Sequence, residues 1–208
     1  MKNYLCSALI LLAMVSCDNK KEAVKTSYKT PDMKLASDVM TPEVLWSFGR
    51  IGSVSVSPDQ KTLLYDVTYF NKEEDRSYSD IYVMNLADGK SQQLTDTDYK
   101  EFGETWTSDG KIAFMSSKSG SVQLWEMNAD GSGLTQLTNV EGGIGGFIFS
   151  PDKSKLLFLK DVKLEQDVHD LHPDLPKANA RLIDGQVYRH WNDWVEAYTH
   201  PFVADYIP

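Results

Sequence analysis

Two Leu-Thr pairs, Leu94-Thr95 and Leu137-Thr138, lie 43 residues apart, and so do Asp109 and Asp152. A repeat of about 20–50 residues decides the architecture before any single element does, because one such unit cannot bury its own apolar face and must stack on its neighbours. The repeat has two parts. Ser55-Val56-Ser57-Pro58-Asp59-Gln60-Lys61 and the apolar run Thr62 to Tyr65 are echoed by Thr105 to Phe114 and again by Ile148 to Phe158. Asp80 to Gly89 with Gln93-Leu94-Thr95 is echoed by Gln123 to Gly131 with Gln136-Leu137-Thr138.

Pro-Asp or Ser-Asp-Gly between apolar runs presets a tight turn, since Pro fixes φ while Asp and Gly accept the remaining turn geometry. Asp88-Gly89 and Asp130-Gly131 close a second hairpin in the same way. Lys61 aligns with Lys111 in this reading. Four strands every ~40–45 residues is the pattern of a β-propeller blade. The fold class is therefore all-β: a partial propeller of about three four-stranded blades, at about residues 44–95, 96–138 and 139–208, together an incomplete domain over 41–208. Trp106, Phe114, Trp125, Phe147 and Phe158 are assigned to packing between sheets, and the turn residues to turns. No sustained helical periodicity runs through 50–160, which disfavours an α/β fold. A content of 41% hydrophobic and 11% aromatic residues is that of a chain that folds.

The third blade is interrupted. After Leu157-Phe158-Leu159-Lys160 the second hairpin is delayed by an insertion from Asp161 to about Ala197, and its strand returns as His200 to Tyr206. Within the insertion, Asp170-Leu171-His172-Pro173-Asp174-Leu175-Pro176-Lys177-Ala178 and Tyr188-Arg189-His190-Trp191-Asn192-Asp193-Trp194, followed by His200-Pro201-Phe202-Val203, resemble the propeller of prolyl oligopeptidase-family serine peptidases, in the bacterial acylaminoacyl-peptidase and dipeptidyl-peptidase branch. The resemblance implies a propeller that admits short peptides to a separate α/β-hydrolase domain carrying the catalytic Ser, Asp and His. His190, Trp191 and Trp194 are then candidates for lining the substrate route. The alternative for these residues is anchoring of the insertion on its blade.

No Gly-x-Ser-x-Gly elbow occurs in the 208 residues, so no nucleophile is assigned and this chain alone is expected not to hydrolyse peptides. Seven or eight blades would need ~300 residues, more than follow the N-terminal segment. The dipeptidyl-peptidase IV branch places a Glu-Glu pair in its propeller; Glu73-Glu74 falls in a charged hairpin loop of the first blade and is not assigned that role. His169 and His172 stand three apart with Asp170 and Asp174 nearby, but a Pro-containing stretch without a helix would not fix both rings, so no metal is expected. Gly142-Gly143-Ile144-Gly145-Gly146 precedes a strand and lacks a following Lys-Ser/Thr, which makes it a connection between blades rather than a phosphate loop. No cofactor is expected.

The N-terminus reads as an address. Lys2 and the apolar run Leu5 to Val15 have the form of a secretory signal, too short to span a bilayer as a helix. Met14-Val15-Ser16-Cys17 resembles the lipobox of bacterial lipoproteins, which implies a signal peptide over 1–16, lipid on Cys17 and a flexible tether over 17–40. A plain secretory signal cut a few residues later is the alternative. Twenty-one basic against 30 acidic residues give a net charge of −9 with no basic cluster, which excludes nucleic acid as a natural partner. The cysteines are Cys6 and Cys17 alone, so the folded part has no disulfide framework. The expected location is the cell envelope of a Gram-negative bacterium, as a periplasmic or outer-membrane lipoprotein, with short peptides and the membrane as partners. A non-catalytic envelope propeller of the TolB type, acting as a protein-interaction module, is the competing function.

Overall fold

In the computed structural model, residues 37–182 and 194–206 are described. They form three antiparallel sheets. The first contains β1 (Arg50–Val56), β2 (Thr62–Asn71), β3 (Arg76–Asn85) and β4 (Ser91–Gln93), in that order. The second repeats it with β5 (Glu101–Trp106), β6 (Ile112–Ser116), β7 (Gln123–Met127) and β8 (Thr135–Gln136). The third has β9 (Gly146–Phe149), β10 (Lys155–Lys163) and β11 (Ala197–Asp205), with β10 in the middle. Among the described residues the third sheet thus has three strands, not the four expected, and the outer edge of β11 carries no partner strand. Helix α1 (Pro42–Ser47) precedes β1, and one turn of helix, α2 (Val168–Leu171), lies in the insertion.

The repeated residues perform repeated work. Ser57, Thr107 and Ser150 each donate a side-chain hydrogen bond to the Asp two positions on, at 2.6, 2.5 and 2.6 Å. Gln60, Gly110 and Lys153 take the positive φ that closes each turn, at 60°, 79° and 58°. The second turn is one residue shorter: the Ser57 amide donates to Thr62, but the Thr107 amide to Lys111. The alignment of Lys61 with Lys111 therefore slips by one residue beyond the turn, and Leu64 is matched by Ala113. The Leu-Thr pairs clamp the ends of the first and second sheets. Leu94 and Leu137 amides donate to Ile81 and Leu124 carbonyls, both at 2.8 Å, while Thr95 and Thr138 hydroxyls accept from the same residues' amides at 2.9 Å.

Alternation along β6 and β7 joins the three sheets. Ile112, Phe114 and Met127 pack with Leu64 and Ile81 against the first sheet, with Trp106 and Trp125 closing around them. Ala113, Met115 and Leu124 turn the other way and pack with Ile144 and Leu156 against the third, joined by Phe147 and Phe158. All five residues of β6 are buried. The five aromatic residues assigned to inter-sheet packing hold that role. The second and third sheets are also tied at their turns: Lys153 Nζ lies 2.6 Å from Asp109 and 3.1 Å from Glu126, which also pairs with Lys111 at 2.6 Å. The two outer faces of the stack remain apolar and exposed, with Ile51, Val54 and Val56 on one and Ile148 and Val203 on the other.

Candidate functional site

The end of the stack opposite the Lys153–Asp109 turns carries the hairpins between second and third strands. The β2–β3 hairpin has ten residues in each strand against five in β6 and β7, so it overtops the middle sheet. Its tip is closed by Asn71, whose side-chain oxygen accepts from the Glu73 and Glu74 amides at 3.1 and 3.2 Å. Beside it sits α1, which starts where it does because Thr41 caps it, Pro42 occupies its first turn and Glu43 suits the positive end of its dipole. The helix presents Trp46 edge-on to Phe70 at 5.4 Å, and the Arg50 guanidinium lies 4.4 Å over Phe70 and 5.3 Å from the Trp46 ring.

A cleft of about 740 Å³ opens between these parts. Trp46, the hairpin residues Phe70, Lys72 and Arg76, the inter-sheet linker Asp98-Tyr99-Lys100, and Ser117 from the β6–β7 turn line it. Arg76 donates to the Asp98 carbonyl at 3.3 Å, fixing linker to hairpin. Tyr78 donates to Glu74 in the turn of this hairpin, a bond that raises the phenol pKa. Aromatic faces beside three cations and two carboxylates suit recognition of a short, zwitterionic chain. None of the described histidines lines the cleft.

Below the cleft, the seam between the first two sheets holds four carboxyl groups. Glu101 and Glu104 on β5 and Asp66 on β2 are buried. Burial pushes Glu104 up to about 7 and the half-buried Asp80 up to about 6, and it raises Glu101 as well. Asp80 accepts from the Thr97 amide at 3.3 Å and Glu101 from the Thr97 hydroxyl at 3.0 Å.

The sequence-based candidates fall partly elsewhere. Trp194 is half-buried, with the Arg181 guanidinium 4.8 Å over its ring and Arg181 paired to Glu196. It is not a wall of the cleft, although its insertion leaves from the β10–β11 hairpin, at the same end of the stack. His190, Trp191 and Cys17 lie outside the described residues, as do 1–36 of the signal and tether. The expectation of no helix near His169 is corrected: Asp167 accepts from the His169 and Asp170 amides at 2.8 and 3.1 Å, and Asp170 returns the bond, so a capping box starts α2 despite Pro173. Among the described residues no three His, Cys, Asp or Glu side chains converge as metal ligands. The cleft residues were not singled out from sequence. Thr41-Pro42-Glu43 is a helix-start signature that points to Trp46, and Asp66, at the inward parity of Leu64, marks the buried seam.

The chain is 44% identical to dipeptidyl-peptidase 5 of Porphyromonas gingivalis over 167 residues, 80% of this chain and 24% of the relative. It is 34% identical to dipeptidyl-peptidase 5 of Porphyromonas endodontalis over 198 residues, 94% of this chain and 29% of that one. The chain is homologous to bacterial dipeptidyl-peptidase 5 over most of its length. It spans about a quarter of the length of these curated relatives. The fold matches Pyrococcus horikoshii acylaminoacyl peptidase with a TM-score of 0.57 at 17% identity, over 78% of this chain and 24% of that one. No protein-family model matches the chain. The similarity to dipeptidyl-peptidase 5 agrees with the resemblance carried by the insertion motifs.

Proposed function

We propose that this chain is the substrate-gating part of an exported serine peptidase acting on short peptides, and that its three sheets are consecutive blades of a propeller. The identity to dipeptidyl-peptidase 5 over 80% of the chain carries the reading. The exposed apolar faces of the first and third sheets support it, since a blade is stable only when both faces meet neighbours. In this reading further blades cover Ile51, Val54, Ile148 and Val203. The cleft at Trp46 and Arg76 and the insertion with His190, Trp191 and Trp194 border the peptide's route at one end of the propeller. The hydrolytic chemistry belongs to a hydrolase domain, because these 208 residues contain no nucleophile elbow. Residues 1–16 act as a signal peptide, and lipid on Cys17 holds the protein at an envelope membrane through the tether.

The test is a segment exchange. Residues of this chain replace the matching segment of the P. gingivalis dipeptidyl-peptidase 5, and the chimera is assayed on dipeptidyl chromogenic substrates and on a folded protein. Retained dipeptide release with the folded protein spared is the expected result, and Trp46→Ala with Arg76→Ala should raise KM in that background. A chimera that unfolds cooperatively near the parent's temperature yet has lost dipeptide release, or attacks the folded protein, overturns the reading.

A further inference from the structure

The seam between the first two sheets contains one hydroxyl hydrogen too few for the groups gathered there. Both innermost strands are bulged where they meet. Pairing of β1 with β2 shifts register between Ile51 and Val54, and pairing of β5 with β6 shifts between Phe102 and Thr105, where Gly103 takes a φ of +64°. A bulge re-aims the residues it frees. Here it turns the amide and hydroxyl of Ser53 toward Asp66, and sends Glu104 across to the same point.

The Asp66 Oδ1 accepts from the Ser53 amide at 2.7 Å and lies 3.1 Å from the Ser53 hydroxyl, while Oδ2 accepts from Ser79 at 3.2 Å. The Ser53 hydroxyl is also 2.9 Å from Glu104 Oε1. A hydroxyl has one hydrogen, so it cannot donate to both carboxylates. Glu104 is 3% exposed, and its Oε2 is buried with no hydrogen-bond partner among the described residues. Ionised, that oxygen would be a dry, unserved acceptor facing a second carboxylate, the costliest state for a buried acid.

Against this burial the charged form has only the Glu104 amide and the Ser53 hydroxyl in its favour. β1 turns Ser53 to Glu104, β2 turns the carboxylate of Asp66, and β3 turns Ser79, itself an acceptor for Thr68 at 3.1 Å. Asp80, next on β3, and Glu101, on β5 itself, are acidic and engaged with Thr97. Lys118 lies toward Glu101 and favours its charge, not that of Glu104. Gly52 shuts the site from above, since a Cβ there would fall 2.4 Å from the Asp66 carboxylate oxygens.

We propose that Glu104 is a neutral carboxylic acid in the folded protein below neutral pH, and that its proton, shared with Ser53 and Asp66, clasps the first sheet to the second. Glu104 donates to the Ser53 oxygen or to Asp66 and Ser53 passes its own hydrogen to Asp66, so that Glu104 keeps one unserved carbonyl oxygen in place of an unserved carboxylate oxygen; Glu101 Oε2, farther along β5, is buried without a partner as well. Loss of this one proton leaves two carboxylates facing each other across a single hydroxyl. The clasp is therefore sensitive to alkali, and Ser53, exposed at the edge of β1, is its route to solvent.

Thermal unfolding of the 208-residue chain from pH 5 to 9, with Glu104→Gln alongside, tests the clasp. The unfolded chain releases this proton near 4.5 while the folded acid holds it to about 7, so the stability it contributes is present below 4.5 and is lost as pH climbs toward about 7. The wild-type midpoint should fall by on the order of 5 °C across that window relative to Glu104→Gln, whose amide keeps a donor at every pH. At pH 6 the wild type should also show a stronger protonated-carboxyl C=O band in the infrared than the variant, whose remaining band comes from Asp80 and Glu101. If Glu104→Gln does not fold, the band is followed in Glu101→Gln carrying carbon-13 glutamate, where Glu104 is the buried glutamate that remains. Parallel pH profiles for the two proteins, or no protonated glutamate band at pH 6, overturn the proposal.

Discussion

Truncating Phe114 to alanine should loosen the first sheet from the second while leaving the third in place. Phe114 is 1% exposed at the centre of β6, and it packs with Leu64, Ile81, Ile112 and Met127. Removing a buried phenyl ring costs its transfer free energy plus a cavity term, together about 3–5 kcal/mol. Against a domain stability of about 5–15 kcal/mol, that is a large fraction of the total. For a chain of this size it corresponds to a fall in Tm on the order of 10 °C. Urea unfolding followed by tryptophan fluorescence is a direct assay, because Trp106 and Trp125 line the same interface. Amide exchange gives the location: protection should drop in β2 and β3 and hold in β9 and β10. Leu156→Ala is the mirror image, since Leu156 belongs to the other cluster with Ala113, Met115 and Leu124. A Phe114→Ala loss below about 1 kcal/mol, or protection lost equally on both sides, would falsify the picture of β6 as the strand that serves two separate interfaces.

Lys153→Met should remove the ammonium that lies over the Phe149 and Tyr206 rings, leave Asp109 with Thr107 as its partner, and leave Glu126 to Lys111 alone. The loss should stay below the about 3–5 kcal/mol of a fully unpaired buried charge. The Lys153 and Thr107 hydrogen bonds hold Asp109 at about 2, so its contribution is present above its unfolded value of 3.8 and fades as pH falls from there toward 2. The variant should therefore flatten the acid limb of the stability profile, and an unchanged limb in urea titrations at pH 2–5 would contradict this. Two neighbouring glycines should separate backbone strain from steric clash. Both have positive φ, but a Cβ at Gly142 meets nothing within 4 Å, whereas one at Gly143 would lie 2.9 Å from the Val122 carbonyl oxygen. Gly142→Ala should cost about 1–2 kcal/mol, and Gly143→Ala clearly more; equal losses in chemical denaturation would refute the contact.

Features set by a few adjacent residues were legible in the sequence. The Ser-Pro-Asp turns, the Asp-Gly hairpins and the Leu-Thr clamps each close hydrogen bonds inside one repeat, so their chemistry repeats whenever the motif does. The insertion was legible as an interruption of that rhythm. Errors arose where a motif outside the repeat competed with a strong local signal: Pro173 concealed the Asp167 and Asp170 caps of α2. A turn shortened by one residue moved the equivalence of Lys111, because strand parity is counted from the closing hydrogen bond and not from the conserved look of the lysine.

The repeat by itself determined that this chain makes successive antiparallel sheets that stack, four-stranded in the first two units, since strand period, turn residues and unit length are all local quantities. Only the tertiary structure decided which faces met and what the meeting enclosed. Trp46, Arg76, Tyr99 and Ser117 come from four separate segments, and they form one cleft because a long hairpin stands beside a short one. Ser53 and Glu104 are 51 residues apart and touch because two bulges turn them to the same point. Parity along a strand says that a side chain points inward; the charge, hydrogen or empty space it finds there belongs to another strand.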